Sequence, residues 1–106
     1  MVPPLNKKTF NAQDLLDVDR VIHAPARLAI MAVLAACESA DFVYHRNATS
    51  MTKGNLSAHL LKLEEAGYIT IEKRFQDKKP NTLCRLTDKG SAAFKQYRAQ
   101  VARLVK

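Results

Sequence analysis

Apolar side chains recur at helical spacing through the first two thirds of the chain and switch to alternation after residue 67. Leu15, Val18 and Ile22 mark one face of a first helix read over 12–20, with Asn11 as its cap and Phe10 stapled to Leu15. Pro25 suits the first turn of a second helix. That helix runs without a breaker to Cys37 and carries Leu28, Ile30, Met31 and Leu34 as a broad stripe, with Arg27 off it. Asp41 opens a short third helix over 41–48, with Phe42 inward, and the run Thr49-Ser50-Met51-Thr52 breaks it. Thr52 then caps a fourth helix over 53–66, whose inward positions are Leu56, Leu60 and Leu63. Gly67 stands just past its end, where a left-handed cap favours glycine.

From there the period is two. Ile69, Ile71 and Phe75 alternate with Thr70, Glu72 and Arg74. A second run, Thr82 to Leu86, follows the polar stretch Gln76 to Asn81, which predicts a β-hairpin. Thr87 caps a last helix over 88–105, with Phe94, Tyr97, Val101 and Leu104 on one face. The predicted fold is α+β and mostly α, with five helices and a two-stranded hairpin. A flexible tail (1–10) precedes one domain (11–106). That domain divides into a helix-turn-helix (41–67), a wing (68–87) and a C-terminal helix (88–105).

Composition narrows the class. The chain has 106 residues, enough for one core, and 47% of them are hydrophobic, too many for a disordered segment. No apolar run approaches the ~20 residues of a membrane helix. The N-terminus lacks the apolar stretch of a signal peptide, so a cytoplasmic protein without membrane contact is expected. Cys37 and Cys84 read as reduced, packed thiols. Net charge is +7, unevenly spread. Residues 73–106 hold ten basic and two acidic side chains, and residues 1–72 hold seven and eight. Such a footprint favours a polyanionic partner.

The stretch from Asn55 through Leu56, Leu60, Leu63 and Gly67 to Ile69 resembles the recognition helix and first wing strand of MarR/ArsR-type winged-helix regulators. Leu86-Thr87-Asp88-Lys89-Gly90 resembles their strand-to-helix junction, and Pro25 to Ile30 their second helix. The likeness is greatest to the compact MarR-like winged-helix DNA-binding domains and spans residues 15–98. It implies a homodimer that lays one helix per subunit in successive major grooves of double-stranded DNA. A small-molecule effector between helices is compatible with the resemblance, but no residue identifies one.

The residues support DNA binding on their own account. Thr52, Lys53, Gly54, Asn55, Ser57, Ala58, His59 and Lys62 form a face of small or hydrogen-bonding groups on the fourth helix. Lys73, Arg74, Lys78 and Lys79 cluster on the hairpin. Lysine stands where the resemblance implies a groove-reading arginine, which favours phosphate contact there. Leu15, Leu16, Val18, Phe94, Tyr97, Val101 and Leu104 exceed what one small core needs and are expected at a dimer interface.

His45 falls where the resemblance implies a core leucine. It reads as a hydrogen-bonded core histidine, a partly exposed side chain or a pH-sensitive group. No close Cys/His ligand pair predicts a metal, and no glycine-rich loop or nucleophile arrangement predicts a cofactor or catalysis. The alternative function is a winged-helix module that docks proteins and binds no specific DNA.

Overall fold

The structure is a computed structural model and describes residues 12–104; the side chains of Asp14, Leu15 and Leu104 fall outside the description. The expected tail, the Asn11 cap and its Phe10 staple also lie outside it. The elements in order are α1 (Ala12–Leu16), α2 (Pro25–Cys37), β1 (Ser39–Asp41), α3 (Phe42–Thr49), α4 (Lys53–Glu65), β2 (Ile69–Gln76), β3 (Lys79–Leu86) and α5 (Asp88–Leu104). The fold is a winged helix, mostly helical, with a small antiparallel sheet in the order β1-β3-β2.

Two expectations need correction. Among the described residues there are four helices of eight residues or more and three strands, not five full helices and a two-stranded wing. The first helix, expected over 12–20, is the five-residue Ala12–Leu16. Asp19 supplies the reason. Its Oδ1 accepts the backbone N–H groups of Val21 and Ile22 at 2.8 and 3.2 Å, a local turn that competes with helix. The third strand is β1, whose Ser39, Ala40 and Asp41 pair with Arg85, Cys84 and Leu83. Three residues carry no readable period, and their partner lies far along the chain.

The wing also differs in detail. Its strands run on to Gln76 and from Lys79, so the connection is two residues, where a polar loop over 76–81 was expected. Asp77 and Lys78 both take positive φ, 54° and 66°, the turn whose twist matches paired strands. Pro80 lies within β3, the central strand, yet costs no ladder bond to β1. That strand pairs only with residues 83–85, so β3 is an edge at its tip.

One core serves all layers. Ile22, Ile30, Met31, Leu34, Leu56, Leu63 and Ile69 are fully buried, and Val18, Leu60, Phe94 and Tyr97 close it. Helix α2 lies at its centre because its apolar stripe spans both the helix-turn-helix and the sheet. Asp19 ties the segment before α2 to the start of β2, since Tyr68 donates its hydroxyl to Asp19 Oδ2. Burial and this bond push the Tyr68 phenol up to about 12.

A junction of four residues joins α4, the wing and α5. Gly67 ends α4 at φ 81°. Thr87 Oγ1 donates to the Gly67 carbonyl at 2.6 Å and accepts from Gly90 N–H at 2.9 Å, so the cap of α5 also clasps the end of α4. Thr87 N–H donates to the Tyr68 carbonyl at 3.0 Å. Gly90 presses on that same carbonyl: a Cβ there would lie 2.0 Å from the Tyr68 oxygen.

His45 closes the question left open above. It is 0% exposed, and neither ring nitrogen has a hydrogen-bond partner. Position 45 follows Phe42 by one helical turn on α3, which turns it inward. Burial lowers its pKa, and the nearby Asp41 charge opposes this only in part. The ring is therefore held neutral in the core.

Two outcomes follow. Gly90→Ala should lose about 1–3 kcal/mol or more, because the carbonyl it meets is backbone and cannot step aside; an unchanged urea midpoint would contradict this packing. The folded pKa of His45 lies below its ordinary 6.5, so the unfolded chain binds more protons. Stability should be full above that value and fall as pH drops through it toward the folded pKa. In His45→Leu that acid loss should shrink and the neutral-pH midpoint should rise, as thermal melts across pH 4.5–8 would show.

Candidate nucleic-acid interface

Helix α4 is presented by its ends and by its buried side. Thr52 Oγ1 accepts the Asn55 N–H at 3.2 Å, which caps the N-terminus as its residue type predicts. Leu56, Leu60 and Leu63 are buried and set the roll of the helix. Lys53, Gly54, Asn55, Ser57, Ala58 and Lys62 are left exposed around the rest of its surface. A Cβ on Gly54 would meet nothing within 4 Å, so the protein's own packing does not require glycine there. The face is small and uncharged at its centre, cationic at its edges, and open to a close approach by another molecule.

His59 is the exception. It is half-buried, and its Nδ1 accepts from Arg27 Nη1 at 3.2 Å. Burial, then the Arg27 and Lys62 charges, lower its pKa. It is tethered to α2, not presented freely with its neighbours. Arg27 was set aside in the sequence as a residue off the apolar stripe. That position is the signal that could have found it, since a cation facing neither core nor open solvent needs a partner.

The wing stands beside α4. Lys73, Arg74, Lys78 and Lys79 are exposed on it, but they do not form one patch. Lys73 alternates onto the side of Ile69 and Ile71, and with Lys53, Ser57, Leu61 and Thr82 it lines a groove of about 680 Å³ between wing and helix. Arg74 is on the other side and reaches Glu72 at 3.7 Å, an exposed pair that contributes little. Lys78 occupies the turn and Lys79 follows it. Phe75 continues the alternation of Ile69 and Ile71. It is 77% exposed, opposite Pro80 near the tip, because the hairpin extends past the helices that would cover it.

The residues expected at a dimer interface divide three ways. Val18, Phe94 and Tyr97 are buried in the chain's own core. Tyr97 also holds His23, its hydroxyl 2.8 Å from Nδ1. Leu16 is 66% exposed and Val101 is partly buried against the core. Leu15 and Leu104 lie outside the described side chains.

The cysteines differ in character, and only Cys84 is packed as the sequence suggested. Cys37 is exposed, while burial, with Glu64 and Asp41 nearby, pushes the Cys84 thiol up to about 11. Among the described residues no three His, Cys, Asp or Glu side chains gather as a metal site. No described helix is long and apolar enough to cross a membrane.

Residues 26–105 match the family model described as a winged helix DNA-binding domain. An uncharacterized protein of Methanocaldococcus jannaschii is 33% identical over 87 residues, covering 82% of this chain and 95% of that one. A transcriptional regulator homologue of Pyrococcus horikoshii superposes with a TM-score of 0.79 at 27% identity, over 85% of this chain and 91% of that one. A MarR-like transcription regulator of Bacillus cereus shares the fold, with a TM-score of 0.64 at 18% identity, over 91% and 70% of the two chains.

The cap is the testable local element. Thr52→Ala should cost about 1 kcal/mol, measured as a shift of the denaturation midpoint, while Thr52→Ser should cost little. Equal losses in both would show that the hydroxyl does not carry the cap.

Proposed function

The chain belongs to the winged helix DNA-binding domain family and is homologous to transcriptional regulators, and from that premise we propose that it binds a near-palindromic duplex DNA site as a homodimer and so regulates transcription. The observation that carries this is the exposed face of α4, capped by Thr52 and held by three buried leucines, beside a basic hairpin. A face of this kind fits a major groove. Small side chains at Gly54, Ser57 and Ala58 admit the duplex closely, and Asn55 can meet a base edge with both donor and acceptor. Lys53 and Lys62 at the edges, with Thr52 at the N-terminus, suit phosphates.

The wing adds affinity more than sequence preference. Lys73, Lys78 and Lys79 are hydrated point charges, suited to the DNA backbone, and Arg74 joins them once Glu72 releases it. His59 contributes from the edge of the helix, where Arg27 holds it. Neither metal, cofactor nor catalysis enters this reading, and its setting is the cytoplasm.

For the dimer we propose that Leu16 and Val101, with Leu15 and Leu104, meet their copies across a two-fold axis. Val18, Phe94 and Tyr97 stay in the core of each subunit. Two α4 helices about 34–36 Å apart would then address successive major grooves.

Gel-shift titrations on genomic fragments at 50 and 200 mM salt test the reading. Binding should be clear at low salt and fall by orders of magnitude at the higher concentration. Asn55→Ala should lose about 1–3 kcal/mol of discrimination between the preferred site and a scrambled one, and Lys73→Ala should weaken both alike. In sedimentation equilibrium the protein should run as a dimer and Val101→Lys should shift it toward monomer. No binding at low salt would sink the DNA reading, and a monomer that still binds a single half-site would sink the palindrome.

A further inference from the structure

Helix α4 has a second flank that the site described so far uses only in part. Lys53 and Lys62 are nine positions apart, which at about 100° per residue puts them on opposite sides of the helix. Lys53 and Ser57 look toward the wing. His59 and Lys62 look the other way, toward Arg27 of α2 and the segment ahead of it. There a depression of about 380 Å³ is lined by Arg20, Val21, Arg27, Lys62, Glu65 and Ala66.

The chemistry of this flank is lopsided. Arg20, Arg27, His59 and Lys62 converge, yet the one ion pair among the described residues is Arg74 with Glu72, on the wing. Glu65 lines the same depression without pairing to any of them. Like charges gathered with no carboxylate in ion-pair contact repel one another, and here the repulsion registers on His59, whose pKa Arg27 and Lys62 both lower after burial has done so. An arriving anion would relieve it.

The cluster is also built in advance. Arg27 Nε donates to the Val21 carbonyl at 2.5 Å, and Nη2 reaches the Arg20 carbonyl at 3.4 Å. Nη1 donates to His59 Nδ1. An arginine has no acceptor, so neutral His59 must carry its hydrogen on Nε2, as a further donor. The guanidinium plane is thus fixed before any ligand binds, with a hydrogen left over on each terminal nitrogen.

We propose that Arg20, Arg27, His59 and Lys62 form a phosphate-binding cluster on the flank of α4 opposite the wing, which takes the DNA strand that the wing does not reach. The proposal rests on the reading of the chain as a duplex-DNA binder. A helix in a major groove about 12 Å wide has a phosphate backbone on each side. The wing cations serve one side, and this cluster serves the other. Arg27 acts both as a phosphate ligand and as the strut that orients His59.

The experiment is the salt dependence of duplex binding for wild type, Lys73→Ala and the double variant Arg20→Ala/Lys62→Ala. Both replaced side chains in the double variant are exposed, so it should melt like wild type. Its plot of log affinity against log salt should flatten by about 2 in slope, with equal loss on preferred and scrambled duplexes. The His59 ring, followed by NMR titration, should move to a higher pKa when a short duplex saturates the protein. If wild type binds with strong salt dependence but the double variant keeps the full slope, the cluster is wrong and DNA binding stands. An unmoved His59 titration in the bound protein overturns the cluster equally. If wild type binds no duplex at low salt, both readings fall together.

Discussion

The approach of Gly90 to the Tyr68 carbonyl governs the geometry on which everything else depends. Three elements meet there: the end of α4, the foot of the wing and the first turn of α5. Any side chain at position 90 would force them apart, since the oxygen it meets is main chain. Thr87 then joins the same three by serving as donor to Gly67 and acceptor from Gly90. The angle between α4 and the hairpin is therefore set by main-chain contacts together with one short, doubly bonded side chain, Thr87, which has little freedom to relax. A helix face and a wing can address one rigid partner only if that angle is held.

The other side of α4 is held by polar contacts of a different kind. Asp19 links the segment before α2 to Tyr68, and Arg27 reaches from α2 to His59. Both contacts cross from the N-terminal segment or α2 to α4 and its following strand. Between the backbone junction and these two bridges, α4 has little freedom to roll, and the leucines beneath it reinforce the same orientation.

The two histidines of the helix-turn-helix show how position decides chemistry. His45 and His59 both have lowered pKa values, and burial is the leading cause for each. For His45 the remaining influence is a carboxylate and neither nitrogen has a partner, so the ring is a neutral filler of core volume. For His59 the remaining influences are cations, and one nitrogen is engaged by Arg27. Protonating the first works against the fold. Protonating the second works against its partial burial and against two neighbouring charges, and a bound anion would offset the charges.

Much of this was legible in residue order alone. Thr52, Asp41 and Thr87 mark helix starts because a side-chain oxygen before a helical run has a local partner to find, and each found it. The buried leucines of α4 follow from helical spacing, and Gly67 from its place just past the helix end. Such features depend on contacts within a few residues. What needed the folded chain depends on distant neighbours. Ser39 to Asp41 become a strand only because β3 offers an edge. Phe75 is exposed because the hairpin outruns the helices, although it continues the alternation of Ile69 and Ile71. Val18, Phe94 and Tyr97 fill the chain's own core because α5 folds back against α1 and β3. Arg27, unremarkable in order, gains its role from a helix that lies 32 positions further along the chain. Local hydrogen bonding and periodicity are written in the sequence, while register, coverage and cross-element polar contacts arise only when the layers close.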